Sequence, residues 1–338
     1  MLDRLLEGRA LAQDEARALM EQVMAGAVGP VPLAAMLTAL RVRGETVDEI
    51  AGFAQAMRAA AVKVEVDPAG LIDTCGTGGD AAGTFNISTA TALLAAAMGL
   101  RVAKHGNRAV SSRSGSADVL EALGVTVTTR ADQAARLIDT LGIGFLFAPA
   151  LHPAMRHAMP VRRELGVRTV FNVLGPLTNP AGARRQLMGV YDAALCEPLA
   201  EVLRRLGSER AFVVHGEGGL DEVSPCGETL VAEVFGDEVR TYTVVPEDAG
   251  VARCRLVDLA GGTPAESAAV IRRVFAGEPG PAADAVALNA GYAAVAAGAA
   301  VDAAEGVALA RTALADGRAA RLVEDLAAAT RVLAKEDA

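Results

Sequence analysis

Along the first 65 residues, apolar side chains recur at three- and four-residue spacing in Leu2 to Leu6, Ala16 to Val23 and Leu33 to Leu40. That spacing is the stripe of amphipathic helices. Thr46 and Glu49 then form a capping box ahead of IAGFAQAMRAAAVKV, which starts a fourth helix. Four short helices in a row cannot each bury a face alone, so residues 1–65 are expected to pack as a small helical domain.

From Pro68 the pattern changes to short apolar runs that end in Gly, Ser or Asn and are followed by Ala-rich helical stretches. Six runs predict strands: residues 70–73, 100–106, 124–129, 184–192, 210–219 and 238–246. The segment 148–182 interrupts this alternation. It is rich in Pro and cationic residues and reads as helix and loop, and its part 160–182 is expected to return to the helical domain. The large domain would then comprise 66–159 and 183–338, discontinuous in sequence. The weakly polar run Val286 to Val301 contains Asn289 and Tyr292 and falls short of the ~20 apolar residues of a membrane span, so it predicts a buried helix.

Composition narrows the function classes. With 52% hydrophobic residues in 338, the chain can bury a large core, and a net charge of -9 argues against a nucleic-acid surface. The expected partner is a small molecule, and no nucleic acid or membrane. The N-terminus has no signal layout, and Cys75, Cys196, Cys226 and Cys254 form no C-x-x-C pair, which points to a reducing cytoplasm. His105, His152, His157 and His215 show no metalloprotease spacing.

Candidate chemistry concentrates in three glycine- or serine-rich stretches. In LIDTCGTGGD, Gly76, Gly78 and Ala81 fit the loose dinucleotide fingerprint, but no acidic residue stands near position 98 and no helix opens directly after the loop. The Walker pattern fails as well, because no Gly-Lys-Ser or Gly-Lys-Thr follows. What remains is a loop whose amides can approach a phosphate, and a second anion site where Ser88 and Thr89 open a helix. Neither carries its own cation. Residues 104–124 supply Lys104, Arg108 and Arg113, with the hydroxyls of Ser111, Ser112 and Ser116, of which Ser116 is placed to cap a helix that Gly124 ends. Asp221 and Glu222 are adjacent carboxylates after a glycine-rich turn, a pair suited to magnesium when phosphates complete its shell.

Five stretches in this order, DTCGTGGD, TFNIST, KHGNRAVSSRSGSADVLEALG, PVRRELGVRTVFNVLGPLTNPAG and GLDEVSP, resemble the anthranilate phosphoribosyltransferases of tryptophan biosynthesis over nearly the whole chain. The resemblance implies an α/β fold, with the small N-terminal α-helical domain hinged to a large α/β domain whose central mixed sheet is flanked by helices. It implies a homodimer, and the unburied faces of the four short helices point to the helical domain as its contact, in the cytoplasm that the cysteines suggest. The implied reaction moves a 5-phosphoribosyl group from phosphoribosyl diphosphate to the amine of anthranilate, with Mg²⁺, two ions per subunit, and release of diphosphate.

Carried over by motif, Gly76, Gly79, Asp80 and Thr84 would hold the diphosphate side, and Asn86, Ile87, Ser88 and Thr89 the phosphate. Lys104, His105, Gly106, Asn107, Arg108, Ala109, Val110, Ser111, Ser112 and Ser116 would line the donor. Ser88, Asp221 and Glu222 would bind magnesium, while Gly76, Asn107 and Arg162 would meet anthranilate. Arg163 stands beside Arg162, and the family's PVR pattern selects Arg162. Leu151 is a departure, since many relatives place Tyr or His before the His-Pro that is His152 and Pro153 here. Attack at an anomeric carbon passes through an oxocarbenium-like state, so such an enzyme needs charge stabilisation and alignment more than a strong base. Two rivals differ in class: a pyrimidine nucleoside phosphorylase, which should lack KHGN and the Asp-Glu pair, and a non-catalytic binding protein, which would have lost Asp80, Asp221 or Glu222.

Overall fold

The computed structural model describes residues 2–79, 82–109, 113–127 and 130–336. Four helices lead: α1 (Leu2–Leu6), α2 (Gln13–Met24), α3 (Pro30–Arg43) and α4 (Val47–Ala60). Thr46 caps α4, its hydroxyl accepting from the Glu49 amide while the Glu49 carboxylate accepts from the Thr46 amide at 2.9 Å. Glu49 is fully buried and does more than cap: it also accepts from the Leu11 amide at 3.0 Å and pairs with Arg43. One carboxylate thus joins the turn before α2, the end of α3 and the start of α4. Gly52 lets α4 press against α2, since a Cβ there would meet the Arg17 amide at 2.8 Å.

The body is built on β1 (Leu71–Gly76), α5 (Ile87–Ala97), β2 (Arg101–Gly106), α6 (Ser116–Ala122), α7 (Ala131–Leu141) and β3 (Ile143–Phe147). The chain then passes through α8 (Ala148–Leu151), a 3-10 turn, α9 (Met159–Leu165) and α10 (Phe171–Leu174). After β4 (Arg185–Gly189), α11 (Cys196–Arg205), β5 (Arg210–Gly216), β6 (Thr229–Phe235) and β7 (Glu238–Val244), it closes with α12 (Pro264–Phe275), α13 (Pro281–Ala297), α14 (Ala303–Ala315) and α15 (Arg318–Glu336). Sheet order is β3-β2-β1-β4-β5-β6-β7, parallel from β3 through β5 and antiparallel at β6 and β7. The sheet is mixed, as expected.

The period of two divides the core. Ile72, Val102, Leu187, Phe212 and Val214 face a layer made by α5, α13, α14 and α15. Cys75, Met188, Ala211, Val213 and Val234 face α11, with which the N-terminal helices share a cluster. Ala158, Val161, Val170, Phe171 and Leu174 lie in that same cluster, so side chains of α9 and α10 pack with those of α1 to α4. Arg58 reinforces the join, donating to the carbonyls of Leu177 at 2.7 Å and Leu206 at 3.2 Å. Helix α13 is buried nearly all round, from Ala285 to Ala296, and no helix of the described residues is long and apolar enough to cross a membrane.

One strand expectation needs correction, and two strands were not expected. The run 124–129 is not a strand in its described part: Val125 donates back to Leu120 as the end of α6, and the Thr126 amide bonds Thr330 of α15 at 3.0 Å. Its alternating valines fill a gap between helices instead of joining a ladder. The strands β3 and β6 lie outside the six expected runs. In β3, Gly144 is required because a Cβ would meet the Ala134 carbonyl of α7 at 2.6 Å.

Glu49→Ala should destabilise the fold by about 2–4 kcal/mol, because it strips a buried carboxylate from two amides and a guanidinium. Urea unfolding followed by circular dichroism measures it, and a loss below about 1 kcal/mol would remove Glu49 from that central role.

Candidate active site

The parallel sheet winds outward in two directions from the β1–β4 seam, and the crevice beyond the C-terminal ends of these strands is where such sheets seat ligands. The two strand ends, Gly76 and Gly189, are register partners. A Cβ on Gly76 would collide with the Asp221 carboxylate, which arrives from the loop after β5.

Beyond Gly76 the glycine loop is held from four sides. The Thr77 amide donates to the Gly189 carbonyl at 2.9 Å, and the Tyr191 amide donates to the Thr77 hydroxyl at 3.1 Å. The Gly78 amide donates to Asp221 Oδ2 at 2.9 Å. Arg168 donates through Nη2 to the Gly79 carbonyl, and its guanidinium lies 4.0 Å over the Tyr191 ring. Gly79 sits at φ +76°, a left-handed conformation, and a Cβ there would meet Arg168 Nη2 at 2.7 Å. The loop already offers an amide to an anionic oxygen.

The second anion site is the start of α5. Asn86 precedes the helix without a side-chain cap bond, and its Nδ2 instead donates to the Ser114 carbonyl at 3.0 Å. The Ser88 hydroxyl donates to the Thr74 carbonyl at 3.1 Å. Lys104, only 3% exposed, donates to that same carbonyl at 2.7 Å and to Ser88 Oγ at 3.0 Å. Burial pulls the lysine below its ordinary pKa, while Asp73, Cys75, Glu222 and Asp221 act against that shift. Ile87 and Thr89 are buried in α5, and Thr84 forms a bridge with Ala260.

The loop after β2 is tied to α6. Asn107 exchanges bonds with Ser116, its amide donating to Oγ at 3.2 Å and its carbonyl accepting from Oγ at 3.1 Å. Ser116 is therefore not the cap expected of it. Asp118 does that work, accepting from the Gly115 amide at 3.0 Å and the Ala109 amide at 2.9 Å. Arg108 turns to Asp118 and Glu121 on α6. Gly106 leaves room for the Ser116 hydroxyl. Asp80, Val110, Ser111 and Ser112 lie outside the described residues.

Behind the loops lies a polar cluster that spacing does not announce. Asp73, 1% exposed, accepts from the His105 amide at 3.2 Å and from Asn179 Nδ2 at 2.9 Å. Burial raises its pKa to about 6 against the lowering effects of Asn179 and Lys104. His105 Nδ1 meets the Gly175 carbonyl at 3.1 Å and its ring stands 5.0 Å from that of His152. Burial lowers His105 to about 3, helped by His152, and lowers His152 to about 4. The Nε2 atoms of both are buried without a protein partner.

On α9, Arg162 is half-buried with its guanidinium 5.2 Å over the Phe171 ring, while Arg163 is exposed. Leu151 is packed with Ala103 and Leu146 in the core. Glu222 is 9% exposed beside Asp221. Arg168 and Tyr191 were not singled out by sequence, although Arg168 lies inside the family stretch GVRTVFN; its guanidinium is bonded to the glycine loop through the Gly79 carbonyl.

Models of a glycosyl transferase family match the chain, its helical bundle domain over residues 1–61 and its α/β domain over 69–320. Anthranilate phosphoribosyltransferase of Moorella thermoacetica is 51% identical over 97% of this chain and 96% of its own length. The crystal structure of the Thermus thermophilus enzyme of that name superposes with a TM-score of 0.93 at 51% identity, covering 98% of this chain and 99% of the other. The Saccharomyces cerevisiae enzyme, 28% identical with a TM-score of 0.89 and 98% and 97% coverage, was solved in complex with PRPP and Mg. It was also solved in complex with 4-fluoroanthranilate.

The buried cluster makes stability pH-dependent with a definite sign. Between about pH 4 and 6 the unfolded chain protonates both histidines, which the fold keeps neutral, whereas the fold protonates Asp73, which the unfolded chain ionises. The histidines contribute stability that is lost as pH falls below 6.5, and Asp73 opposes them. The net is one proton, or about 1.4 kcal/mol gained per pH unit on rising through that window. Asp73→Asn should steepen the slope by about the same amount. Urea midpoints between pH 4.5 and 5.5 read it, and an unchanged slope would contradict the assignment.

Proposed function

The chain belongs to the anthranilate phosphoribosyltransferases of the glycosyl transferase family, and from that premise we propose how its residues divide the work. It transfers the 5-phosphoribosyl group of phosphoribosyl diphosphate to the amine of anthranilate, giving N-(5-phosphoribosyl)anthranilate and diphosphate, in tryptophan biosynthesis.

Gly76, Gly79, Asp80 and Thr84 hold the diphosphate end of the donor, and Asn86, Ile87, Ser88 and Thr89 hold phosphate at the start of α5. The stretch Lys104 to Ser112, with Ser116, lines the rest. The observation that carries this reading is the Gly78 amide donating to Asp221: an anion already sits at the loop, and it belongs to the pair expected to hold the metal. Lys104, bonded to Ser88 and under the influence of Asp221 and Glu222, links the two anion sites.

Asp221, Glu222 and Ser88 offer only oxygen donors, two of them anionic, which suits Mg²⁺ with phosphates and water completing its shell. The two sets, Ser88 on α5 and the carboxylates after β5, support two ions per subunit. Bound magnesium neutralises charge on the departing diphosphate. Around it the protein aligns the acceptor: Arg162 takes the anthranilate carboxylate, with Gly76 and Asn107 beside it. The aromatic amine is unprotonated at neutral pH, so no strong base is required. His105, kept neutral by burial, adds no competing positive charge.

The division into a helical unit of 1–65 with 160–182 and a body of 66–159 with 183–338 is supported by the core that α9 and α10 share with the first four helices. Leu6, Val31 and Val42 leave large apolar surfaces on that unit, up to 83% exposed at Val42, which supports a homodimer formed there. Four free cysteines support a cytoplasmic setting.

Anthranilate fluorescence should fall when phosphoribosyl diphosphate and Mg²⁺ are added together; phosphorolysis of thymidine or uridine instead would make the chain a nucleoside phosphorylase. Arg162→Ala should raise the KM for anthranilate by about tenfold or more, with a smaller change for the donor. Equal effects on both would displace the acceptor site. Asp221→Asn with Glu222→Gln should shift the magnesium titration to higher concentration, and an unmoved titration would take the pair out of the metal site.

A further inference from the structure

Arg168 reaches the glycine loop from outside the α/β body. It stands between Gly166, whose left-handed turn at φ +62° ends α9, and Thr169, whose amide donates to Asn172 Oδ1 at 3.0 Å as α10 begins. Val161 on one side and Val170 and Phe171 on the other are buried in the cluster of the helical unit. The backbone at 168 is therefore anchored at both ends, and its side chain is anchored too. The guanidinium uses one N–H on the Gly79 carbonyl and rests its face on Tyr191, whose own amide holds Thr77.

The loop needs such a clamp. Gly78 and Gly79 both stand at positive φ, at +66° and +76°, and glycines restrain their own backbone least of all residues. A loose loop would lose its freedom on each binding event and weaken the ligand accordingly, whereas a held loop does not. We propose that Arg168 is a positioning residue for the donor: through the Gly79 carbonyl and the Tyr191 ring it keeps the glycine loop in its anion-accepting shape. The inference rests on the reading of that loop as the diphosphate seat.

Steady-state kinetics on the intact enzyme with Mg²⁺ test it, varying phosphoribosyl diphosphate and anthranilate separately. Arg168→Ala should raise the donor KM by about tenfold and leave that of anthranilate within about twofold, with a thermal midpoint near wild type. Arg168→Lys should recover little, since an ammonium keeps charge but not the planar contact with the ring. Tyr191→Leu should move the same parameter in the same direction, and Tyr191→Phe should be silent. A donor KM unchanged in Arg168→Ala overturns the proposal. So does a pattern in which Arg168→Lys restores the donor KM while Tyr191→Leu is silent, which would make the arginine a direct charge on the phosphates. Gly79→Ala separates the two levels: if it leaves the donor KM unchanged, the diphosphate seat itself is misplaced, whereas if it is harmful and Arg168→Ala is silent, only the clamp fails.

Discussion

The contact on which the site depends is the meeting of β1, β4 and Asp221 at the sheet's switch point. Two parallel strands end side by side in glycine, and the backbone of Asp221 crosses so close to Gly189 that any Cβ there would overlap it. Side chains at either strand end would push the carboxylate away from the loop. With both absent, Asp221 lies against Gly76 and receives the Gly78 amide, so the loops after β1 and β5 share one anchor. Neither loop's geometry makes sense without the other.

Electrostatics follow from that geometry. A chain with nine excess negative charges must still seat a polyanion, and its candidate site holds a cation where water is scarce. Lys104 is nearly buried and bonded to a carbonyl and a hydroxyl, and the nearby carboxylates oppose the lowering of its pKa by burial. Arg168 acts on the glycine loop itself, through the Gly79 carbonyl and the Tyr191 ring. Arg108, exposed in the same region, is already matched by Asp118 and Glu121. Positive charge counts for most where the effective dielectric is low and no counter-ion competes.

Local chemistry was largely readable where one short stretch carries it, although Asp118 and not Ser116 caps α6. The capping box at Thr46 and Glu49, the glycine loop and the buried helix around Asn289 follow from residue type and spacing alone. Contacts made across the fold were not. Asp73 looks like any strand residue until Asn179, more than a hundred positions away, is folded onto it. Arg168 looks like a loop cation until Gly79 and Tyr191 surround it. The run 124–129 failed for a related reason: alternating valines describe a surface to be covered, and whether a strand or a helix such as α15 covers it is a tertiary matter.

The core that α9 and α10 share with the first four helices joins stability to the candidate site. Some sixty residues in four helices bury too little to stand well alone, and α9 and α10 extend their core with Val161, Val170, Phe171 and Leu174. That same stretch carries Arg162, resting on Phe171, and Arg168, resting on Tyr191. Each arginine lies over an aromatic face, so each keeps a defined direction while remaining able to bond outward. Glu49 makes the unit behind them rigid by joining three of its helices through one buried carboxylate. A change that loosens the helical core therefore loosens both arginines together, and residues far from the crevice acquire a say in how it is shaped.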